Sequence, residues 1–244
     1  MCFELDSSPP IPVIRGAAVS HEELVLEATD GNRFAAFATT PEEPSGVGVV
    51  ILPDVRGLYR FYEELALRFA ERGMSAVAFD YFGRTAGAEK RGDDFEYMPH
   101  VDQTTPEGVQ ADVAACIGYL RDQGARSIFT VGFCFGGRNS WLAAADQDGL
   151  AGAVGFYGRP AAAAERAGEL KAPILALQAG ADQHITAENN AAFEQALRDA
   201  GVEHELVTYE GAPHSFFDRK QEEFAAASED AWAKVLAFIA AHSS

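Results

Sequence analysis

The chain lacks the features that mark secreted and membrane proteins. Its 244 residues include three cysteines, none in a C-x-x-C pair, so neither a disulfide framework nor a cysteine-rich zinc site is indicated. No apolar run approaches the length of a membrane span, and the N-terminus lacks the basic and apolar regions of a signal peptide. We therefore predict a cytoplasmic protein that does not contact membranes.

Basic residues are also scarce. Lys and Arg number 19 against 37 Asp and Glu, which gives a formal net charge of −18. Such a surface repels phosphate backbones, so nucleic acid is not an expected partner. With 48% apolar residues the chain can bury a sizeable core, and we predict one domain over residues 1–244, without a prediction of oligomeric state.

The hydrophobic pattern alternates between strands and helices. Segments 23–27 and 34–39 flank Asp30-Gly31-Asn32, which is typical of a tight hairpin turn. Further along, continuous apolar runs such as Val47–Leu52 alternate with helical patterns such as Ala187–Ala200. This order predicts an α/β fold: a mostly parallel twisted sheet with an N-terminal antiparallel hairpin and helices on both faces.

Two segments carry no clear period. Residues 1–20 contain Pro9, Pro10 and Pro12, which predicts an extended arm laid over the domain. Residues 83–108 are rich in charge and glycine, which predicts an irregular lid loop over the binding pocket.

Residues 127–141 contain the most informative motif. An apolar, β-branched run ends at Phe133, and Cys134 separates it from an alanine-rich helical pattern. Gly132 and Gly136 flank the cysteine where a side chain would collide with neighbouring backbone. This is the pattern of a nucleophile elbow with cysteine in place of serine, and the following helix N-terminus favours the thiolate. The alternative is an inert cysteine beside a tight turn.

A base and an acid follow at later strand ends. Asp182 comes directly after an apolar strand pattern, and His214 comes directly after the next one. The chain order of nucleophile, acid and histidine is that of α/β-hydrolases. His184 lies too close to Asp182 in sequence to be the base and is expected near the surface. Catalysis is not expected of the other histidines, which are His21, His100, His204 and His242.

Three motifs together resemble those of the dienelactone hydrolase family: Gly-Phe-Cys-Phe-Gly-Gly at 132–137, Gly-Ala-Asp at 180–182 and Pro-His-Ser-Phe at 213–216. The resemblance extends over about residues 23–241. It implies that Cys134 is the nucleophile, His214 the base and Asp182 the group that orients the base. It also implies an oxyanion hole formed by the backbone N–H groups of Phe135 and Val55.

The resemblance has two departures. Asp54 stands where the family has a glutamate thought to interact with the nucleophile's proton, which makes Asp54 a candidate for nucleophile activation. Arg84 matches the family's carboxylate-binding arginine, so it is the candidate substrate-binding residue. The family's second arginine is replaced by Asp218, which weakens the expectation of an anionic substrate.

The residues and the resemblance together predict a hydrolase that needs no cofactor or metal and opens a small-molecule lactone or activated ester through a thioester at Cys134. One alternative is acyl transfer on the same triad. A second is a redox-sensing thiol, disfavoured because no other cysteine is placed to resolve it and Cys116 belongs to a helical core stripe. A third is a non-catalytic protein on the hydrolase scaffold, disfavoured because the triad is complete.

Overall fold

A computed structural model describes residues 3–17 and 19–243, and these residues form one eight-stranded sheet. The strands are β1 (Val19–Glu27), β2 (Arg33–Pro41), β3 (Val47–Leu52), β4 (Ser75–Phe79), β5 (Ser127–Phe133), β6 (Leu150–Phe156), β7 (Ile174–Ala179) and β8 (His204–Tyr209). Their order in the sheet is β1-β2-β4-β3-β5-β6-β7-β8. Strand β2 is antiparallel to β1 and β4, and the other neighbours are parallel. The predicted mostly parallel sheet with an N-terminal hairpin is confirmed.

Helices cover both faces of this sheet, as predicted. They are α1 (Arg60–Ala70), α2 (Gly83–Ala86), α3 (Met98–Val101), α4 (Pro106–Asp122), α5 (Phe135–Asp146), α6 (Ala161–Glu165), α7 (Ala187–Ala200) and α8 (Ala225–His242). Because side chains alternate along a strand, Val49 and Ile51 of β3 join the core under α1 and α8, whereas Val50 and Leu52 join the core under α4, α5 and α7. None of the helices described combines the length and apolar character that a bilayer crossing needs.

The N-terminal arm is built into one of these cores. Phe3 stacks on Phe61 with ring centroids 3.9 Å apart, and Ile11 is also buried. Burying two such side chains contributes roughly 3–6 kcal/mol of hydrophobic free energy before entropy losses. Ser7 Oγ donates a 2.6 Å hydrogen bond to Asp218 Oδ2, which fixes the middle of the arm. Residues 1, 2 and 18 of the predicted arm lie outside the described residues, as does residue 244.

The segment 83–108 differs from the predicted irregular loop. It contains α2, α3 and the start of α4, at which Thr105 Oγ1 accepts the Gly108 N–H and Pro106 is the first helical residue. Helices α2 and α3 are each four residues long, so they are too short to leave a hydrophobic period in the sequence. The five-residue helix α6 was missed for the same reason.

Candidate active site

Cys134 lies at a sharp corner between β5 and α5. Its backbone angles are φ 54° and ψ −108°, a region that non-glycine residues rarely adopt. The corner depends on close backbone packing: a Cβ added to Gly132 would lie 2.0 Å from the Gly136 carbonyl oxygen, and one added to Gly136 would lie 2.0 Å from the Leu52 carbonyl oxygen. The strand, the strained corner and the helix are the geometry of a nucleophile elbow.

Asp182 and His214 form the second part of the site. The carboxylate follows β7 and its side chain is fully buried, and its Oδ2 lies 2.5 Å from His214 Nδ1. Oδ1 accepts the backbone N–H of His184 at 2.8 Å. Burial alone would raise the pKa of Asp182, but the bonds to His214 and to the backbone lower it below its usual value. Asp182 is therefore a carboxylate that holds a proton on Nδ1, which leaves Nε2 for the other side of the ring.

His214 connects this carboxylate to Cys134. Burial lowers the pKa of His214, but hydrogen bonds to Asp182 and Cys134 outweigh burial and raise the pKa to about 9. At neutral pH the imidazole is therefore protonated, which stabilises a thiolate beside it. The structure thus brings together Cys134, Asp182 and His214 from the ends of three strands.

Backbone strain is concentrated around these residues. Among the described residues, the non-glycine residues with positive φ are Cys134, Tyr157 at 35° and Ser215 at 68°. The Tyr157 ring lies 4.9 Å from the His214 ring between centroids, and Ser215 follows His214 in the chain. Strain of this kind persists only where surrounding contacts hold it, and it clusters at functional sites. The sequence carries no signal of this strain, because neither residue is a glycine.

A cavity of about 330 Å³ opens beside Cys134. It is lined by Val55, Cys134, Phe135, Arg138, Tyr157, Arg159, His184, Ile185 and His214. Phe135 is the first residue of α5, so its N–H has no acceptor within the helix. Together with Val55 it borders the cavity next to the sulfur, where an oxyanion needs donors. His184 is exposed at the cavity rim, in keeping with its expected position near the surface.

The arrangement matches known proteins in sequence as well as in geometry. Residues 34–243 match the profile of the dienelactone hydrolase family. The chain belongs to this family. A carboxymethylenebutenolidase from Rhodococcus opacus is 28% identical over 254 residues, which cover 98% of this chain and 96% of the relative. A candidate carboxymethylenebutenolidase from Saccharolobus solfataricus is 29% identical over 257 residues, covering 89% of this chain and 98% of the relative.

Solved structures show the same fold. The crystal structure of a candidate dienelactone hydrolase from Klebsiella pneumoniae has a TM-score of 0.79 and 25% identity, covering 91% of this chain and 99% of the other. The dienelactone hydrolase-like promiscuous phosphotriesterase P91, from metagenomic libraries, also has a TM-score of 0.79, with 22% identity and coverage of 94% and 100%. The α/β-hydrolase fold and a hydrolase function are therefore shown for this chain at the level of the family.

Asp54, the candidate for nucleophile activation, is fully buried next to the elbow. Its Oδ1 accepts the Arg56 N–H at 2.9 Å and its Oδ2 accepts the Tyr59 hydroxyl at 3.1 Å. Burial raises the pKa of Asp54 to about 6, with the negative charge of Cys134 adding to the rise and the Arg56 N–H opposing it. The pKa of Asp54 therefore lies closer to neutral pH than that of an ordinary aspartate.

Arg84 is not brought to the cavity. Its Nη1 lies 2.6 Å from Asp112 Oδ2 and its Nη2 lies 2.6 Å from Asp30 Oδ2. Both ends of the guanidinium are held by carboxylates, one of them buried, and Arg84 does not line the cavity, so these contacts do not support its expected role in substrate binding.

The lining of the cavity does not support the expected lid position either. No residue of segment 83–108 lines the cavity at Cys134. The segment is held to the sheet edge by Arg91, whose Nη2 lies 3.0 Å from the buried Asp80 Oδ2. Asp218, which the resemblance places at the position of the family's second arginine, is buried and accepts the arm's Ser7 hydroxyl. Neither family arginine position therefore supplies a cation to this cavity.

Sequence reasoning missed four side chains of the cavity wall, those of Arg138, Tyr157, Arg159 and Ile185. Arg138 lies one helical turn after Cys134, which immediately precedes α5, and this spacing could have marked it. Arg159 follows the carboxyl end of β6, where ligands bind in such sheets. Within residues 3–17 and 19–243, no group of three or more His, Cys, Asp or Glu side chains is arranged to hold a metal ion.

Proposed function

We propose that this member of the dienelactone hydrolase family opens a lactone or activated ester through a thioester at Cys134. The observation that supports this proposal is that hydrogen bonds connect His214 to both Cys134 and Asp182 beside a cavity of about 330 Å³. The set has the three roles that nucleophilic catalysis requires: a nucleophile, a base in contact with it and a carboxylate that orients the base.

In the first half-reaction, the Cys134 thiolate bonds to the substrate carbonyl carbon, and the carbonyl electron pair moves onto oxygen. The N–H groups of Phe135 and Val55 donate to this oxyanion. When the oxyanion collapses, the ester C–O bond breaks and the leaving oxygen takes the proton of the His214 imidazolium. In a lactone the leaving oxygen stays attached to the acyl chain.

In the second half-reaction, water attacks the thioester carbonyl. Neutral His214 accepts the water proton at Nε2, and the resulting tetrahedral oxyanion occupies the same pair of N–H groups. Collapse breaks the C–S bond, releases the carboxylic acid and restores the thiolate beside a protonated His214. Asp182 keeps the ring in one tautomer through both halves.

The thiolate nucleophile restricts the substrates. A thiolate leaves easily, so the first tetrahedral intermediate reverts unless the substrate has a good leaving group of its own. Enol lactones and aryl esters are therefore better substrates than amides or plain alkyl esters. A reduced thiol is required throughout, which supports the cytoplasmic location that the composition predicts.

In this proposal Asp54 is the group that adjusts the charge state of the Cys134 thiol. Its burial next to Cys134 and its pKa of about 6 support a role in holding or repelling charge at the sulfur before substrate binds. The hydrogen bonds from Arg56 N–H and Tyr59 hydroxyl fix its carboxylate in one orientation.

A screen of small lactones and aryl esters tests the proposal, with mass spectrometry of the peptide that contains Cys134. We expect turnover and an acyl mass increase on Cys134 when the reaction is quenched early. Product analysis with an added alcohol or thiol separates hydrolysis from acyl transfer to that acceptor. Turnover that persists undiminished in Cys134→Ala would overturn the thioester mechanism.

A further inference from the structure

Two arginines face the cavity beside Cys134. Arg138 lies one turn along α5 from the cysteine, and Arg159 follows β6 two residues after Tyr157. Both line the cavity together with His214. The guanidinium of Arg138 lies 5.0 Å from the centre of the Phe135 ring, so an aromatic side chain fixes its position at the wall.

Neither arginine is neutralised by the protein. Among residues 3–17 and 19–243, no carboxylate lies within 4.0 Å of the guanidinium of Arg138 or Arg159. The Nε atom of Arg138 is buried and has no hydrogen-bond partner among these residues. The two carboxylates nearest the chemistry are already engaged, Asp182 by His214 and Asp54 by Tyr59. The cavity therefore holds two cations whose donors are available to a ligand.

Without a ligand, the positive charges of Arg138 and Arg159 are energetically unfavourable. Burial lowers the pKa of Arg138, and the charge of Arg159 lowers it further, although Tyr81 and Cys134 oppose the change. The two like charges on the cavity wall repel, and the partly buried, unpaired guanidinium of Arg138 is unfavourable, whereas Arg159 is exposed. An anion placed between them removes both penalties and gains charge-assisted hydrogen bonds. Arg84 has no such capacity, because Asp30 and Asp112 already occupy its donors.

We propose that Arg138 and Arg159 form an anion subsite that selects substrates with a carboxylate or another oxyanion group near the scissile carbonyl. The selection of esters rests on the proposed function. The subsite occupies positions different from those that the family resemblance implies for charge recognition, which are Arg84 and residue 218. With a net charge of −18 the chain repels anions at a distance, so recognition must come from these local donors.

The subsite can be tested without turnover, because Cys134 can be alkylated by two reagents of the same reactivity class and different charge. The thiolate displaces iodide from iodoacetate, an anion, or from iodoacetamide, which is neutral. Mass spectrometry of the peptide that contains Cys134 gives the rates of the two reactions. Both rates depend on the thiolate fraction in the same way, so their ratio does not depend on it and reports how strongly the cavity attracts an anion. The iodoacetamide rate by itself shows whether the elbow is intact.

We expect the iodoacetate to iodoacetamide ratio to fall about tenfold in Arg138→Gln, the low end for hydrogen bonds to a charged group, and by a smaller factor in Arg159→Gln. Arg60→Gln is the matched control, since it removes one positive charge from an exposed position at the start of α1. Its ratio should equal that of the unmodified protein. Equal ratios in all four proteins would overturn the anion subsite.

A charged and a neutral ester test the role of the anion subsite in catalysis. Mono-4-nitrophenyl glutarate has a free carboxylate, and its methyl ester has none. Arg138→Gln should lower kcat/KM about 10- to 100-fold for the charged ester and less than about threefold for the neutral ester. Equal losses for both esters would overturn the subsite and leave the hydrolase. Absence of turnover of either ester, with the alkylation ratio still dependent on Arg138, would overturn the proposed function and leave the subsite.

Discussion

His214 Nδ1 lies 2.5 Å from Oδ2 of Asp182, and the Asp182 side chain is closed off from solvent. The two residues are 32 positions apart and meet because the parallel strands β7 and β8 end at the same edge of the sheet. The other oxygen of Asp182 is fixed by backbone N–H groups, so the carboxylate has one orientation toward the ring. This contact decides which nitrogen of His214 faces Cys134.

Replacing Asp182 by Asn should lower kcat/KM by a factor on the order of 10⁴, as for the equivalent change in a serine protease, because the amide supports the wrong imidazole tautomer. The measurement is kcat/KM on the best aryl ester or lactone from the screen. His184→Ala, on the same loop, is the control and should have a small effect. A larger loss in His184→Ala than in His214→Ala would contradict the assignment of the base.

Cys134→Ser should abolish or greatly reduce turnover while the protein stays folded. Serine fits the same corner, but its hydroxyl has a pKa far above that of a thiol and depends much more on its base. Circular dichroism and thermal unfolding check the fold, and kcat/KM checks activity. Undiminished activity in this variant is incompatible with a mechanism built on the thiolate.

The pKa of about 9 at His214 predicts how activity and stability change with pH. Because the folded-state pKa lies above the usual value of 6.5, the stabilisation from protonated His214 is fully present below about pH 6.5 and is lost as the pH rises through 9. The imidazolium that protonates the leaving group is lost over the same upper range, so kcat/KM should fall above pH 9. The unfolding free energies of the protein and His214→Gln, compared at pH 6 and 9.5, should differ less at the higher pH. A constant difference would contradict the raised pKa.

Asp54→Asn should stabilise the protein above pH 6. The folded-state pKa of about 6 exceeds the usual 3.8, so folding favours the protonated form, and stability is lost as the pH rises from about 4 through 6. Asparagine stays neutral; its Oδ1 can accept the Arg56 N–H, and its Nδ2 can donate to the Tyr59 hydroxyl oxygen in place of the bond that Asp54 accepts. We expect roughly 1–3 kcal/mol of added unfolding free energy at pH 7.5 and none at pH 4. A gain of the same size at both pH values would mean that the charge of Asp54 is not responsible.

Arg84→Ala should lower stability without changing the preference between charged and neutral substrates. The variant leaves the buried Asp112 without its ion pair, at a cost of roughly 1–3 kcal/mol after allowance for the partial exposure of Arg84. Adding Asp112→Asn should recover part of the loss, which chemical denaturation can measure as a coupling energy. A loss confined to kcat/KM for the charged ester would restore Arg84 to substrate binding.

The sheet and the candidate triad could be predicted because their signals are local. Val47–Leu52 and Ser127–Phe133 are buried along their whole length, and each candidate triad residue lies within five residues of the end of a strand. Since parallel strands end at one edge, sequence order then places Cys134, Asp182 and His214 together.

The contacts that the sequence did not indicate are tertiary contacts. Asp112 is 28 residues from Arg84 and nothing local marks the pair, so the sequence does not indicate that Arg84 is held by this carboxylate. For the same reason the sequence did not indicate Arg138 and Arg159 as neighbours, because they lie in different parts of the chain and line the same cavity wall only after folding. The one-turn helices α2 and α3 are too short for any periodicity, which left segment 83–108 without predicted structure.

The close contacts of the elbow glycines limit which positions can be mutated to change substrate specificity. A Cβ at Gly137 would lie 2.6 Å from the Phe156 carbonyl oxygen, so the turn after Cys134 is closed against the backbones of two neighbouring strands. A mutagenesis library that varies the elbow glycines would consist mostly of misfolded members. The side chains of Arg138, Arg159 and Ile185 reach the same cavity from outside that turn, which makes them the positions where randomisation can change selectivity and keep the reactive corner.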